Sequence, residues 1–117
     1  MIKNLWLDWG GFSTVDKNSS LYHEKSTGED STSYHNGDSW FWINNLAALA
    51  LHNIDKQEFK NYIDKLLSAS TEEILWKGAI SHHCELSSAK ELESDGCLVQ
   101  AWSSAMFIEA VNGIFRE

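Results

Sequence analysis

Residues 34–51 read YHNGDSWFWINNLAALAL, and this stretch decides the fold class. Trp40, Ile43, Ala47, Ala50, Leu51 and Ile54 recur at the i, i+3, i+4 spacings of a helix. Phe41, Trp42, Leu46 and Leu49 cover much of the remaining circumference, and a helix apolar on most sides is expected to be buried on most sides. Asp38 or Ser39 stands where an N-cap is needed. Ahead of the helix lies YHNGD, in which polar groups surround a glycine beside aromatic rings. A core element does not need a His-Asn-Gly-Asp run. A solvated loop does not need two tryptophans and a phenylalanine.

Working outward, Asp55-Lys-Gln-Glu58 has the pattern of a capping box with Asp in place of Ser or Thr. It predicts a second helix with Phe59, Tyr62, Ile63, Leu66 and Leu67 as its apolar stripe. Thr71, Glu72 and Glu73 start a short further helix or extend that one, with Ile74, Leu75 and Trp76 packing and Gly78 as the stop. Residues 78–97, GAISHHCELSSAKELESDGC, form a polar stretch, and from about Leu98 a last, heavily apolar helix runs toward Phe115. Upstream, residues 13–38 are a polar loop of a length usually reserved for function or mobility. Within residues 1–12, a short apolar alternation predicts a strand that Gly10-Gly11 ends. The expected fold is all-α, with three to four helices and two long polar loops. Its first and last helices carry more apolar surface than so few helices cover, which points to a partner subunit or a larger parent fold.

Composition narrows the function classes. A chain of 117 residues with 43% hydrophobic and 22% charged residues is a single globular domain or part of one. A formal net charge of −8 disfavours a phosphate backbone or an anionic membrane as partner. No apolar run approaches the roughly 20 residues that span a bilayer, and the first residues have no signal-peptide h-region. Two cysteines, Cys84 and Cys97, make no disulfide framework and suit free thiols in a reducing cytoplasm. Six tryptophans in a chain without proline suit both core packing and ligand stacking.

Each candidate site residue has a functional and a plain reading. Tyr34, Trp40 or Trp42 can stack on the C–H face of a pyranose, His35, Asn36 and Asp38 can bond its hydroxyls, and Gly37 permits close backbone approach. The alternative is a helix start with Asp38 as cap and the tryptophans as core. In HHCEL, residues 82–86, adjacent ligands suit a metal poorly and no second cluster has zinc-like spacing, so no metal or other cofactor is expected. Glu85 is better suited to acid–base chemistry, its alternative being a surface carboxylate. In GCLVQAWSSA, residues 96–105, the plain reading of Gln100 and Trp102 is a helix start with a core tryptophan. Glu91, Glu93 and Asp95 read as a solvated acidic run.

Three stretches taken together resemble the C-terminal part of glycogen debranching enzymes, the amylo-α-1,6-glucosidase domain. They are YHNGDSWFWINNLAALAL, CEL at 84–86, and Gly96-Cys97 followed by QAWS at 100–103. GGFST at 10–14 is similar, more loosely, to a Gly-rich family segment whose arginine is missing here. The resemblance covers most of residues 10–115 and implies an (α/α)6-toroid glucosidase that removes an α-1,6-linked glucose stub from an α-glucan. It implies inverting hydrolysis, with two carboxyl groups roughly 6.5–9.5 Å apart. Glu85 matches the family's general base, although Cys84 replaces the serine before it. Tyr34, His35, Gly37, Asp38 and Trp40 would line the glucose subsite, and Gln100 and Trp102 would support the loop that holds Glu85. The family's general acid lies in a Trp-Met-Asp segment that has no counterpart here. The expectation is a C-terminal fragment of such a domain, inactive by itself, that binds glycogen or limit dextrin and self-associates or joins its upstream remainder. Two rival expectations are a non-catalytic carbohydrate-binding module and a helical protein-interaction domain.

Overall fold

The apolar spacing after Trp40 does make a helix, but tertiary structure moves its start and chooses a different buried face. A computed structural model describes residues 2–116. In chain order the elements are α1 (Ile2–Leu5), β1 (Trp6–Leu7), β2 (Gly11–Phe12), β3 (Ser39–Trp40), α2 (Phe41–Asp55), α3 (Lys60–Trp76), β4 (Leu86–Ser87) and α4 (Ala101–Phe115). The chain is mostly helical, with two antiparallel two-strand pairs in addition. The first pairs Trp6 with Phe12 and Leu7 with Gly11, so Gly10 and Gly11 turn a hairpin rather than end a strand. The second pairs Ser39 with Ser87 and Trp40 with Leu86, which brings the two polar stretches together.

Helix α2 is the centre of the bundle and packs on both α3 and α4. Its core partners are Ile63, Leu66 and Leu67 of α3 and Ala110 of α4, around its own Ala48 and Leu51. The β1–β2 hairpin closes one end. Trp6 stands edge-on to Tyr62, with ring centroids 4.7 Å apart, and to Phe12 at 5.3 Å. Such edge-to-face pairs contribute about 0.5–1.5 kcal/mol beyond the area they bury.

Several expectations change. Neither Asp38 nor Ser39 caps α2; Trp40 occupies the N-cap position, and no side chain bonds there. The Glu85 carbonyl accepts the Phe41 N–H instead, at 3.1 Å, satisfying one orphan donor of the helix start from across the β3–β4 pair. The buried face of α2 is Phe41, Asn44, Asn45, Ala48 and Leu51, while Ile43, Leu46 and Ile54 are exposed. The two asparagines go inside because they have partners there. Asn44 Oδ1 accepts the Phe12 N–H and Asn44 Nδ2 donates to Ser39 Oγ. Asp55 does accept the N–H groups of Gln57 and Glu58, at 3.0 Å each, but the helix proper begins at Lys60. Residues 71–76 continue α3 without a break, and Leu75 and Trp76 face solvent rather than pack. The last helix begins at Ala101, leaving Leu98 and Val99 exposed before it, and buries only Ser103 and Ala110. The stretch expected to be a polar loop at 78–97 contains β4, and residues 83–89 are all buried. Among the described residues, no helix is long and apolar enough to cross a membrane. Both cysteines are free thiols, Cys84 buried and Cys97 exposed.

Candidate active site

The β3–β4 pair sets YHNGDSW against CELSS, and the residue just before β4 is Glu85. Its backbone is held on two sides: the Glu85 N–H donates to Cys97 O at 2.8 Å, and its carbonyl accepts from Phe41. The side chain is 8% exposed. Tyr34 Oη–H donates to Oε1, and the Cys97 N–H donates to Oε2 at 3.0 Å. Both partners are donors, as an ionised carboxylate, which only accepts, requires. Gly96 passes directly over this contact in the left-handed region, φ +68°, and a Cβ there would lie 2.5 Å from Oε2. Position 96 therefore has two independent reasons to be glycine.

Tyr34 is itself positioned by aromatic contacts. Its ring meets Trp40 edge-on at 4.5 Å, and the Trp40 indole N–H donates to the Tyr34 carbonyl at 2.9 Å. The hydrogen bond to Glu85, with burial and the nearby charge adding, pushes the Tyr34 hydroxyl up to about 12. It stays a proton donor at any physiological pH.

Beside this pair lies a cavity of about 270 Å³ lined by Tyr34, Asp38, Leu86, Asp95 and Gly96, among others. Pockets for drug-sized ligands run to roughly 300–1,000 Å³, so this volume suits a single small ring. Asp38 is buried; Oδ2 accepts Ser33 Oγ–H at 2.8 Å and Ser26 Oγ–H at 3.4 Å, whereas Oδ1 has no partner among the described residues. Burial, with the charge of Asp95 adding, pushes the Asp38 carboxyl above its ordinary range despite the two serine hydroxyls.

The remaining sequence candidates fall in different places. His35 is exposed and stacks parallel on Trp40, with centroids 5.4 Å apart and planes within 5°. Gly37 is buried with its N–H on Thr14 Oγ1, and a side chain there would collide with the His23 carbonyl. Gln100 is the N-cap of α4, and its N–H donates to the His83 carbonyl at 2.9 Å, two residues before Glu85. Trp102 is 54% exposed on α4 beside Trp42, ring to ring 6.3 Å, and its indole N–H makes no hydrogen bond among the described residues. The acidic run divides: Glu91 and Glu93 are exposed, while Asp95 bridges to Leu86 and lines the cavity.

Residue pattern points to His83 only as a poor metal ligand within HHCEL, not as a member of the polar network that adjoins the segment carrying Glu85. Glu73, Asn45, Ser70 and His83 are all fully buried and hydrogen-bonded in one network. Helical periodicity contained the signal. Leu66, Ser70 and Glu73 share one face of α3, and Phe41, Asn44, Asn45 and Ala48 share one face of α2, so extending the apolar stripe takes in the polar residues. Trp9, part of the apolar alternation in residues 1–12, donates its indole N–H to Ala89 O at 3.0 Å and ties the hairpin to the buried segment.

The family model of amylo-α-1,6-glucosidase matches residues 2–109. The chain belongs to the amylo-α-1,6-glucosidase family. It is a domain related to glycogen debranching enzymes, and this membership covers every residue placed around Glu85. No curated protein and no solved structure matches the chain.

Proposed function

We propose that this chain is one sector of an (α/α)6-toroid α-1,6-glucosidase, in which Glu85 is the general base of an inverting hydrolysis. The observation that supports it best is the setting of the Glu85 carboxylate. It is nearly buried, held at both oxygens by fixed donors, and adjoins a cavity of single-ring size in a chain of this family. Each carboxylate oxygen keeps a second lone pair beside the donor it already has. One of these receives the proton as Glu85 activates water for attack on the anomeric carbon, while a second carboxyl group on the opposite face protonates the leaving oxygen. That acid is contributed by toroid helices beyond those of this chain.

The substrate is an α-glucan, with the α-1,6-linked glucose of a branch stub in the cavity. The unpartnered Asp38 Oδ1 accepts from a sugar hydroxyl, and Tyr34 and Trp40 form the wall of the subsite. The exposed apolar residues of α3 and α4 are the surface on which neighbouring toroid helices pack, so the chain by itself self-associates. Isothermal titration with isomaltose tests the subsite: heat of binding that disappears in Asp38→Ala is expected, and an absence of binding counts against it. In the hydrolytically competent parent, Glu85→Gln should abolish glucose release while leaving sugar affinity largely intact. Wild-type rates in that variant overturn the assignment of the base.

A further inference from the structure

Glu73 is a glutamate with no exposed surface, although Thr71 and Glu72 just before it on the same helix are exposed. Its carboxylate is shared between two segments of chain. Oε2 accepts His83 Nδ1–H at 2.6 Å and the Cys84 N–H at 3.2 Å. Oε1 accepts Ser94 Oγ–H at 2.8 Å. The first segment runs directly into Glu85. The second runs into Gly96 and Cys97, which enclose the Glu85 carboxylate and bond its oxygen and its backbone.

The far side of the His83 ring is fixed as well. Asn45 Oδ1 accepts Ser70 Oγ–H at 2.8 Å, which turns its NH₂ toward His83 Nε2 at 3.2 Å. Nε2 is then the acceptor, and Nδ1 carries the hydrogen that Glu73 receives. Phe41 covers the ring at 4.4 Å. A Cβ at Gly78 would lie 2.9 Å from Glu73 Oε1 and 2.8 Å from Ser94 Oγ, so the chain leaves that side open for the carboxylate contact. Glu73, His83 and Cys84 have ligand atoms within 4.8 Å of one another, but the carboxylate and the imidazole already bond each other and the thiol bonds elsewhere. The Cys84 thiol donates to Leu86 O, and burial pushes it far above its ordinary range. A buried charged or polar cluster of this kind is commonly no more stabilising than apolar residues of the same volume, so stability alone does not account for it.

We propose that Glu73 is a positioning residue for Glu85: through His83 and Ser94 it ties the segment that carries the carboxylate to the segment that hydrogen-bonds it. The inference rests on Glu85 as the functional carboxylate, but its test does not depend on sugar. Amide hydrogen exchange is measured on the chain itself and on Ser94→Ala, Ser94→Thr and Glu73→Gln. One hydrogen bond of ordinary net strength corresponds to roughly tenfold in local opening. Ser94→Ala should therefore accelerate exchange at the Glu85 and Cys97 amides by about tenfold. Leu66 and Ala110 amides should be unaffected, and Ser94→Thr, which keeps the hydroxyl, should restore protection. Glu73→Gln should accelerate the same two amides. Unchanged exchange there in both Ser94→Ala and Glu73→Gln overturns the proposal, as does a uniform acceleration in Ser94→Ala that spares no core amide. Failure of isomaltose to bind, with the exchange pattern as expected, counts against the glucosidase reading and not against the tie.

Discussion

Within one turn of α3, Glu73 has no exposed surface and Trp76 is 77% exposed. Hydrophobicity alone orders these two residues the other way. The difference shows what decides burial in this molecule. Glu73 has three polar groups bonded to its carboxylate, the His83 imidazole, the Cys84 N–H and the Ser94 hydroxyl, and a carboxylate so supplied tolerates loss of water. Trp76, with Leu75 beside it and Phe115 across a groove of about 890 Å³, has no element over it among the described residues. One face of the last turn of α3 is buried with a polar group inside. The other face leaves apolar surface uncovered, as surfaces made to meet another element do.

The largest effect expected along this comparison is from the buried face. Glu73→Ala leaves the His83 and Cys84 donors unpaired in the interior and should lower unfolding stability by about 3–5 kcal/mol, read as a fall in the urea midpoint. A loss below about 1 kcal/mol would falsify the view that this network is closed to water. Gly96→Ala should cost about 1–2 kcal/mol from the left-handed backbone and also displace the Glu85 carboxylate. An unchanged Cys97 amide shift in that variant would show that Glu85 does not sit beneath position 96.

Two of the buried carboxyls, Glu73 and Asp38, should respond to acid with opposite signs. Burial alone would push Glu73 up, but the bonds from His83, Ser94 and Cys84 outweigh it and hold the carboxyl below its ordinary value. Its contribution to stability is thus complete above the ordinary glutamate range and is lost as pH falls through the lowered folded value. Asp38 is raised, so its penalty in the fold is present above the raised value and is relieved as pH falls through it. Urea midpoints across the acid range should therefore flatten in Glu73→Gln and steepen in Asp38→Asn. The smallest effect on folding belongs to the exposed face. Trp76→Ser with Phe115→Ser should change monomer stability by no more than about 0.5 kcal/mol per site while reducing self-association, measured by light scattering at micromolar concentration. A monomeric wild-type mass in that measurement removes the basis for the packing surface.

The legible parts of the fold were those set by local pattern. The three long helices follow from apolar spacing, and Gly78 after Trp76 does stop α3. Exposure was less legible because apolar content does not say which neighbour is present. Ile43, Leu46 and Ile54 satisfy the helical spacing as well as Ala48 and Leu51 do, yet only the latter meet α3 and α4. At the site, Tyr34, Asp38 and Glu85 were visible as candidates, and Tyr34 was read as a sugar platform without its bond to Glu85. That bond joins residues 51 positions apart, and no periodicity reports such a contact.

By itself, the sequence determined the helical class and the family, and it singled out Glu85 as a candidate, because these depend on residue types and short spacings. Only the tertiary structure decided that Ser39 and Trp40 pair with β4, that the Glu85 carbonyl caps α2, and that Glu73 is buried against His83, Cys84 and Ser94. The physical reason is that a polar group goes inside only where donors and acceptors from distant segments converge on it.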